Sequence, residues 1–469
     1  MRLFEILLVI TAGLIVILPL LNLPRRPLLM DVLFGLAIFA LAGHLLVEGY
    51  RWQMVGIYLL LAVAAGHSLG FGQIGQSSGY KAHQASLLIR APELLLLGLA
   101  VLPPVYVPVL TVPDPTGPHA VGTTIYYLVD ESRTEIYGDA NGPRELMAQV
   151  WYPATPATNA PRDLYMPEYR QLAPALAREF GLPAFLGGHF NLATSPARRD
   201  APTDLSAAPY PVIMFSHGWA GVRTQNTAQI VELVSHGYVV IAVDHAYGAT
   251  AVVFPDGRIA YNDPNALPAG VSDEEYAAAA DQLSTWWSAD LSFALDQATT
   301  WNSAGPLAGL MDLNTVGFMG HSTGGGTIVE TCWRDPRCDA GVGLDVWMRP
   351  VAQEAVDAGL SVPFIYLYSE AWINGGRIER LDTLLANSSA DFYSLGIAGT
   401  DHYDFTDFPL LTPLLQQAGL SVGPIGFKRM QTIVTDYQLA FFNQYLKGIP
   451  SDLLADPTGK YPEVTAYVP

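Results

Sequence analysis

Charge is what this chain has least of. Only 14% of its 469 residues are Asp, Glu, Lys or Arg, against about 25% in an ordinary soluble protein, so part of the chain is built to avoid water. Basic residues are the scarcer kind: 24 Lys and Arg stand against 43 Asp and Glu, a net charge of −19. Beyond residue 112 the imbalance sharpens to 18 basic and 39 acidic residues, with no basic stripe and no interleaving of aromatic and basic side chains. A field of that sign repels a phosphate backbone and argues against a nucleic-acid partner.

Cysteine is nearly absent as well. Cys332 and Cys338 are too few for a disulfide scaffold, and no Cys-x-x-Cys or Cys/His metal spacing occurs. Six apart around Asp335-Pro336, the pair fits either a small disulfide of an oxidising compartment or two free thiols at a helix end. With half of all residues hydrophobic, disorder is excluded and stability has to come from burial.

What is abundant is uncharged length, and it is concentrated in residues 1–112. Residues 6–23 carry no charge, and apolar stretches follow at about 32–47, 52–71 and 94–112. A helix needs about 20 apolar residues to cross a bilayer, so an all-helical transmembrane region of about four spans is expected, the last kinked by Pro103, Pro104 and Pro108. A cleaved signal peptide is the rival reading of the first stretch; it lacks a small-x-small site before Arg25-Arg26, and the next apolar run starts at once. Arg25, Arg26, Lys81 and Arg90 lie in the loops after spans one and three, against Arg2 and Arg51 on the opposite side. That count makes the chain an integral membrane protein with its large acidic domain extracytoplasmic; three spans would reverse the orientation. Asp31, Glu48 and Glu93 read as interface residues.

A Pro/Gly-containing linker at about 111–120 leads into residues 113–469, expected to be a single large domain. Two β-rich stretches (121–129 and 146–152) precede a Pro/Ala-rich insert at 153–209 with short helical patches. From 211 onward, apolar runs at 211–217, 238–244, 315–320, 340–346, 363–369 and 392–399 alternate with helical stretches at 224–236, 280–301, 324–334 and 427–447. Continuous apolar strands separated by helices mark a mostly parallel, doubly wound sheet buried on both faces.

The pattern G-x-S-x-G occurs twice, as Gly320-His321-Ser322-Thr323-Gly324 and as Gly66-His67-Ser68-Leu69-Gly70. A nucleophilic serine of this kind needs a strand ending just before it and a helix starting just after, so that a strained turn lifts its hydroxyl above the sheet. Ser322 has both, in TVGFM and GGTIVETCW; Ser68 sits inside an apolar run long enough to span a bilayer and is taken as a decoy. A serine hydroxyl also needs a base. His402, in GTDHYDF after the last apolar run, is the one histidine downstream of Ser322. For the acid that orients the imidazole, Asp345 and Glu370, each at a strand end, remain open; Asp401 and Asp404 read as loop-capping groups. The oxyanion of an acyl-transfer intermediate needs two backbone N–H donors. Thr323, after the nucleophile, is one; Trp219, in the turn Ser216-His217-Gly218-Trp219-Ala220-Gly221, is the other, with His217 read as a structural histidine bonding loop backbone.

The blocks FSHGWAGVRTQ, GHSTGGGT, GLDVWMRP, YLYSE and GTDHYDFTDF resemble those of the platelet-activating factor acetylhydrolase family and its bacterial relatives, within the α/β-hydrolase superfamily. The resemblance covers roughly 121–447 and implies an α/β-hydrolase fold. It implies Asp345 as the triad acid rather than Glu370, and Trp219 as an oxyanion donor where the animal enzymes carry an aliphatic residue; it says nothing of residues 1–112. Together these readings lead to a membrane-anchored serine esterase with Ser322, Asp345 and His402 as its triad, free of cofactor and metal, its substrate an ester or a phospholipid with a short or oxidised acyl chain. A broad carboxylesterase, lipase or polyester hydrolase is the alternative within the same chemistry, and a non-catalytic membrane sensor with a degenerate hydrolase domain the alternative outside it.

Overall fold

The computed structural model describes residues 1–21, 27–70, 80–138, 142–156, 160–374 and 379–467, except for the side chains of 27, 69–89, 373, 374 and 379. Arg25, Arg26 and the Lys81 side chain, on which the orientation count leans, lie outside the description, as does the segment 71–79 that follows the decoy serine. The chain forms two compact units.

The smaller unit comprises Met1–Leu110 with Phe185–Leu192 and Leu411–Leu414. Its helices are α1 (Leu3–Ile17), α2 (Pro27–Gly43), α3 (Val55–Gly70) and α4 (Tyr80–Tyr106). They pack through Leu8, Ala12, Val16, Ala40, Ile57, Leu60 and Ala100. The helix carrying the fourth apolar stretch starts earlier than 94 and ends at Tyr106, with Pro92, Pro103 and Pro104 inside it. Its terminal carbonyls, orphaned by the helix end, are met by a side chain: the buried Arg51 guanidinium donates to Val107 O at 2.9 Å and Pro104 O at 3.2 Å, and to both oxygens of Glu5 at 2.7 and 2.8 Å. Glu5, His44 and Glu48 bring potential metal-ligand atoms within 4.8 Å of one another, but Arg2 and Arg51 both donate to Glu5 and already neutralise it. Glu93, rather than facing an interface, is fully buried beside Arg90 at 2.9 Å and His67 at 2.5 Å. Among the described residues two helical stretches, Leu3–Leu20 and Leu28–Glu48, are long and apolar enough to cross a membrane; Trp52–Ser68 is a shorter apolar helix.

The larger unit holds an eleven-stranded sheet. Its strands are β1 (Ala120–Thr134), β2 (Pro143–Ala154), β3 (Arg162–Leu164), β4 (Thr194–Arg199), β5 (Tyr210–Ser216) and β6 (Val239–Asp244). A separate hairpin of β7 (Ala251–Val253) and β8 (Ile259–Tyr261) comes next. The sheet then continues through β9 (Met311–His321), β10 (Ala340–Leu344), β11 (Phe364–Ser369), β12 (Phe392–Ile397) and β13 (Val464–Ala466). The spatial order is β13-β12-β11-β10-β9-β5-β6-β2-β1-β4-β3. The six strands from β6 to β12 are parallel; β2 and β13 close the parallel block with antiparallel neighbours. The insert at 153–209 is more than helical patches: around α5 (Tyr169–Glu179) it supplies the last two strands of the sheet, β4 and the edge strand β3.

The central strands are buried on both faces because each is covered by helices. Val212, Met214, Ile241 and Phe318 meet Leu291, Ala294, Leu295 and Ala298 of α7 (Asp273–Ser303) and Ile328 and Val329 of α8 (Thr323–Arg334). Burial of one such side chain is worth about 1.5–3 kcal/mol. Helix α6 (Thr227–Ser235) and the helix Phe427–Lys447 bury their apolar faces as well. The order reverses between β5 and β9, and in open α/β sheets the crevice at the carboxyl ends of such strands is where ligands bind. Cys332 and Cys338 are disulfide-bonded.

Candidate active site

Ser322 occupies the turn from β9 into α8 with φ 55° and ψ −117°, a backbone state that a non-glycine residue adopts only when its surroundings impose it. They do: Ser322 N–H donates to Leu344 O at 3.0 Å, and Ser322 O accepts from Trp347 N–H at 3.0 Å and Gly326 N–H at 3.1 Å. The flanking glycines make the turn possible, since a Cβ on Gly320 would sit 2.3 Å from Gly324 O and one on Gly324 2.3 Å from Ser216 O. Ser68 lies exposed on α3, with no strand before it.

His402 opens the short helical turn His402–Phe405 after β12. Its Nδ1 lies 2.6 Å from Asp345 Oδ2, and its ring stacks on Trp372 at 4.9 Å and packs against His321, the neighbour of Ser322, at 4.5 Å. His321 fixes this placement from below: its Nε2 donates to His402 O at 3.0 Å while Nδ1 accepts from Gln225 at 3.2 Å. Asp345, at the end of β10 and fully buried, accepts on Oδ1 from Ser369 N–H at 2.7 Å and on Oδ2 from Ser369 Oγ at 3.1 Å. A carboxylate so held is aimed at one target. Glu370, the other carboxylate left open, accepts from Gly399 N–H at 2.8 Å. Asp401 and Asp404 bond loop backbone: His402 N–H donates to Asp401 at 2.7 Å, and Asp401 N–H and Gly423 N–H donate to Asp404 at 2.8 and 2.6 Å.

In the turn after β5, Gly218 N–H faces Gln225 Oε1 at 3.4 Å, Ala220 N–H donates to Gly248 O at 2.9 Å and Gly221 N–H to Gly218 O at 2.9 Å. Trp219 N–H has no acceptor among the described residues, and Thr323 N–H, in the first turn of α8, has no intrahelical one. Because Ser216 pairs with Gly320 across β5 and β9, both donors stand at the ends of adjacent strands. His217 bonds loop backbone, its Nδ1 donating to Gly218 O at 2.7 Å and its Nε2 accepting from His245 N–H at 3.2 Å. A recess of about 320 Å³ opens beside Trp219, walled by Arg178, Thr250, Tyr261, Asn262 and Leu267.

The loop that carries His402 is anchored by Asp407. Its carboxylate receives Ala228 N–H at the start of α6, and Phe405 O accepts from Asn226 at 2.7 Å and Gln229 at 2.8 Å. Burial pushes the Asp407 carboxyl up to about 8, its bonds to Ala228, Thr227 and Tyr165 opposing only in part. A folded pKa raised above the unfolded value contributes stability that is complete below the unfolded pKa, about 4, and lost as pH rises through the folded one. The stability of Asp407→Asn relative to the parent is therefore expected to rise from pH 5 to pH 9, at up to about 1.4 kcal/mol per pH unit, read from paired thermal melts. A difference that stays constant with pH would show that Asp407 does not titrate in this window.

Some polar residues near the site carry little signal in sequence. Ser216, His245, Asp290 and Arg144 form a buried array under the turn after β5. The pair Asp244-His245 directly after an apolar strand was a clue; Asp290, on the buried face of an otherwise ordinary amphipathic helix, offered none.

The family model for platelet-activating factor acetylhydrolase, isoform II, matches residues 107–259 and 294–452. The platelet-activating factor acetylhydrolase of Cavia porcellus is 26% identical over 364 residues, covering 72% of this chain and 78% of that protein. A probable 1-alkyl-2-acetylglycerophosphocholine esterase of Arthroderma benhamiae is 27% identical over 387 residues, covering 75% of this chain and 92% of that one. Among solved structures, a ferulic acid esterase from Streptomyces cinnamoneus superposes with a TM-score of 0.62 at 27% identity, over 77% of this chain and all of its own. The fold is that of an α/β-hydrolase and the relatives are ester hydrolases; matched by the family model on both sides of the elbow, this chain belongs to the platelet-activating factor acetylhydrolase isoform II family.

Proposed function

We propose that the chain is a membrane-anchored serine esterase acting on phospholipids and related esters with short or oxidised acyl chains. Ser322 attacks the ester carbonyl while His402 takes its proton. The N–H groups of Trp219 and Thr323 hold the oxyanion, and His402 returns the proton to the departing alcohol. Water, activated by the same imidazole, releases the acyl group. Asp345 holds the ring so that Nε2 is the basic nitrogen. The observation that carries this reading is the 2.6 Å contact between Asp345 Oδ2 and His402 Nδ1, beside a serine on a strained strand-to-helix turn.

The short-chain preference is supported by the relatives, one of which is named for a 2-acetyl glycerophosphocholine. The superposed ferulic acid esterase favours a second reading, a carboxylesterase of broader scope. Rates separate the two: the phospholipase reading expects acetyl and butyryl esters to turn over about tenfold or more faster than dodecanoyl esters, and equal rates would favour the broader enzyme. A fluorophosphonate probe is expected to label Ser322. A folded protein that takes up no probe would point to the non-catalytic sensor instead.

Membrane anchoring is supported by the length and hydropathy of Leu3–Leu20 and Leu28–Glu48 and by the exposed apolar side chains of Ile10, Leu36, Ile38 and Phe39. The ion pair of Glu5 with Arg51 builds α1 into its helical unit, which favours a retained span over a cleaved leader. The disulfide Cys332–Cys338 supports an extracytoplasmic catalytic domain. Tethering beside a bilayer raises the local concentration of lipid esters.

A further inference from the structure

Beneath the proposed oxyanion turn lies a second, fully buried Ser-His-Asp arrangement. His245 Nδ1 is 2.9 Å from Asp290 Oδ2, and its Nε2 is 3.0 Å from Ser216 Oγ. Asp290 is saturated by Arg144, which donates at 2.6 and 3.1 Å, and by Arg133, which donates at 2.8 Å. Arg144 also reaches Glu135 at 2.6 Å and Ala246 O at 3.0 Å. Ser216, His245, Asp290 and Arg144 are all 0% exposed, so no substrate reaches them and the array is no hydrolytic centre. Burial holds His245 neutral, its pKa lowered to about 3. With a carboxylate at Nδ1, the ring proton sits on Nδ1, and Nε2 accepts from the Ser216 hydroxyl.

What the array touches is the turn. His245 N–H donates to His217 Nε2 at 3.2 Å, and His217 Nδ1 donates to Gly218 O at 2.7 Å. The Trp287 ring lies flat on the His245 ring, 4.2 Å between centroids and 5° between planes, meets His217 edge-on at 5.2 Å, and stacks with Trp219 at 6.4 Å and 18°. Asp290 and Trp287 share one face of α7, three residues apart, so the helix that orients His245 also presents the ring between it and Trp219. On the other side Ala220, at φ 51°, is held through Gly248 O and through Thr250, which bonds both Ala220 O and Gly221 O.

We propose that His245, Asp290 and Trp287 are positioning residues that set where the Trp219 N–H points. This rests on the serine-esterase reading above. Trp287 gives the Trp219 ring a near-parallel partner, and the His245 ring, itself bonded to Asp290, lies flat against Trp287. A donor that strengthens its bond only as the oxyanion forms contributes to kcat, not to substrate binding.

The test is steady-state kinetics of Trp287→Leu and Trp287→Phe in the full-length protein, with kcat expressed per Ser322 titrated by a fluorophosphonate. Losing an oxyanion donor costs about 10²–10³ in kcat. Trp287→Leu, which removes the flat partner, is expected to lower kcat per titrated site by about 10–100-fold with KM changed by less than about twofold. Trp287→Phe should fall between it and the parent, and affinity for a trifluoromethyl ketone, whose tetrahedral adduct carries the oxyanion, should fall in step with kcat. Unchanged kcat per titrated site, or a rise in KM alone, overturns the proposal. Should Trp287→Leu fail to fold, an unchanged kcat in Trp287→Phe does so by itself. If the parent takes up no probe at Ser322, it is the esterase reading that has failed.

Discussion

Ser322→Ala is expected to lower ester turnover by about 10⁴–10⁶-fold per folded molecule while moving the melting temperature by no more than about 2 °C. The two halves of that expectation come from different observations. Ser322 Oγ bonds no group among the described residues, so its removal orphans no partner; the turn is held by the backbone bonds to Leu344, Gly326 and Trp347, which alanine keeps. Alanine also keeps the Cβ, and with it whatever strain the φ of 55° stores. On the esterase reading the whole loss then falls on chemistry, since the hydroxyl proposed to capture the acyl group is gone. Ser68→Ala, which alters an exposed position on α3, is expected to leave turnover unchanged. Ordinary activity in Ser322→Ala would remove the esterase reading altogether.

The parts of the fold that were legible in sequence are those whose signal is local. The runs PVIMFS, YVVIAVD and GFMGH are apolar on both faces because they lie inside the parallel block, and burial of that kind leaves an unbroken string of hydrophobic residues. The elbow was legible because it combines a strand, a turn that tolerates only glycine at Gly320 and Gly324, and a helix, all within a few residues. The strand β4, second from the sheet edge, was not: TSPARR pairs with β1 through only two residue pairs and on its other side meets the three-residue edge strand β3, and it carries Arg199 to meet Asp163. Such a segment is indistinguishable from a polar loop until its partner strand is in place. From spacing alone the acid that meets His402 was legible only as a pair of options, because Asp345 and Glu370 both follow strands, and it was the family resemblance that implied Asp345. Their separation depends on Asp345 taking φ 46° after β10, with Ser369 closing on its carboxylate, a long-range arrangement that spacing does not encode. The array around His245 is of the same kind, drawn from five separate stretches of chain.

That long-range pairing leads to the second large expectation, that Asp345→Asn lowers kcat by about 10³–10⁴-fold whereas Glu370→Gln changes it by less than about threefold. Asp345 accepts three bonds: from Ser369 N–H, from Ser369 Oγ, and from the protonated Nδ1 of His402. An asparagine of the same shape can satisfy Ser369 N–H with its carbonyl oxygen, which turns its NH₂ group toward His402. Nδ1 then has to accept rather than donate, the ring proton moves to Nε2, and the nitrogen proposed to take the serine proton no longer has a lone pair with which to do so. Fold and substrate affinity survive this exchange, so KM should move little and the loss should appear in kcat. Glu370 bonds Gly399 N–H, a role the Gln carbonyl oxygen can fill without touching the imidazole. If Asp345→Asn instead kept its turnover and Glu370→Gln lost it, the orienting acid would be Glu370, and the 2.6 Å contact between Asp345 and His402 would be a structural bond rather than part of the chemistry.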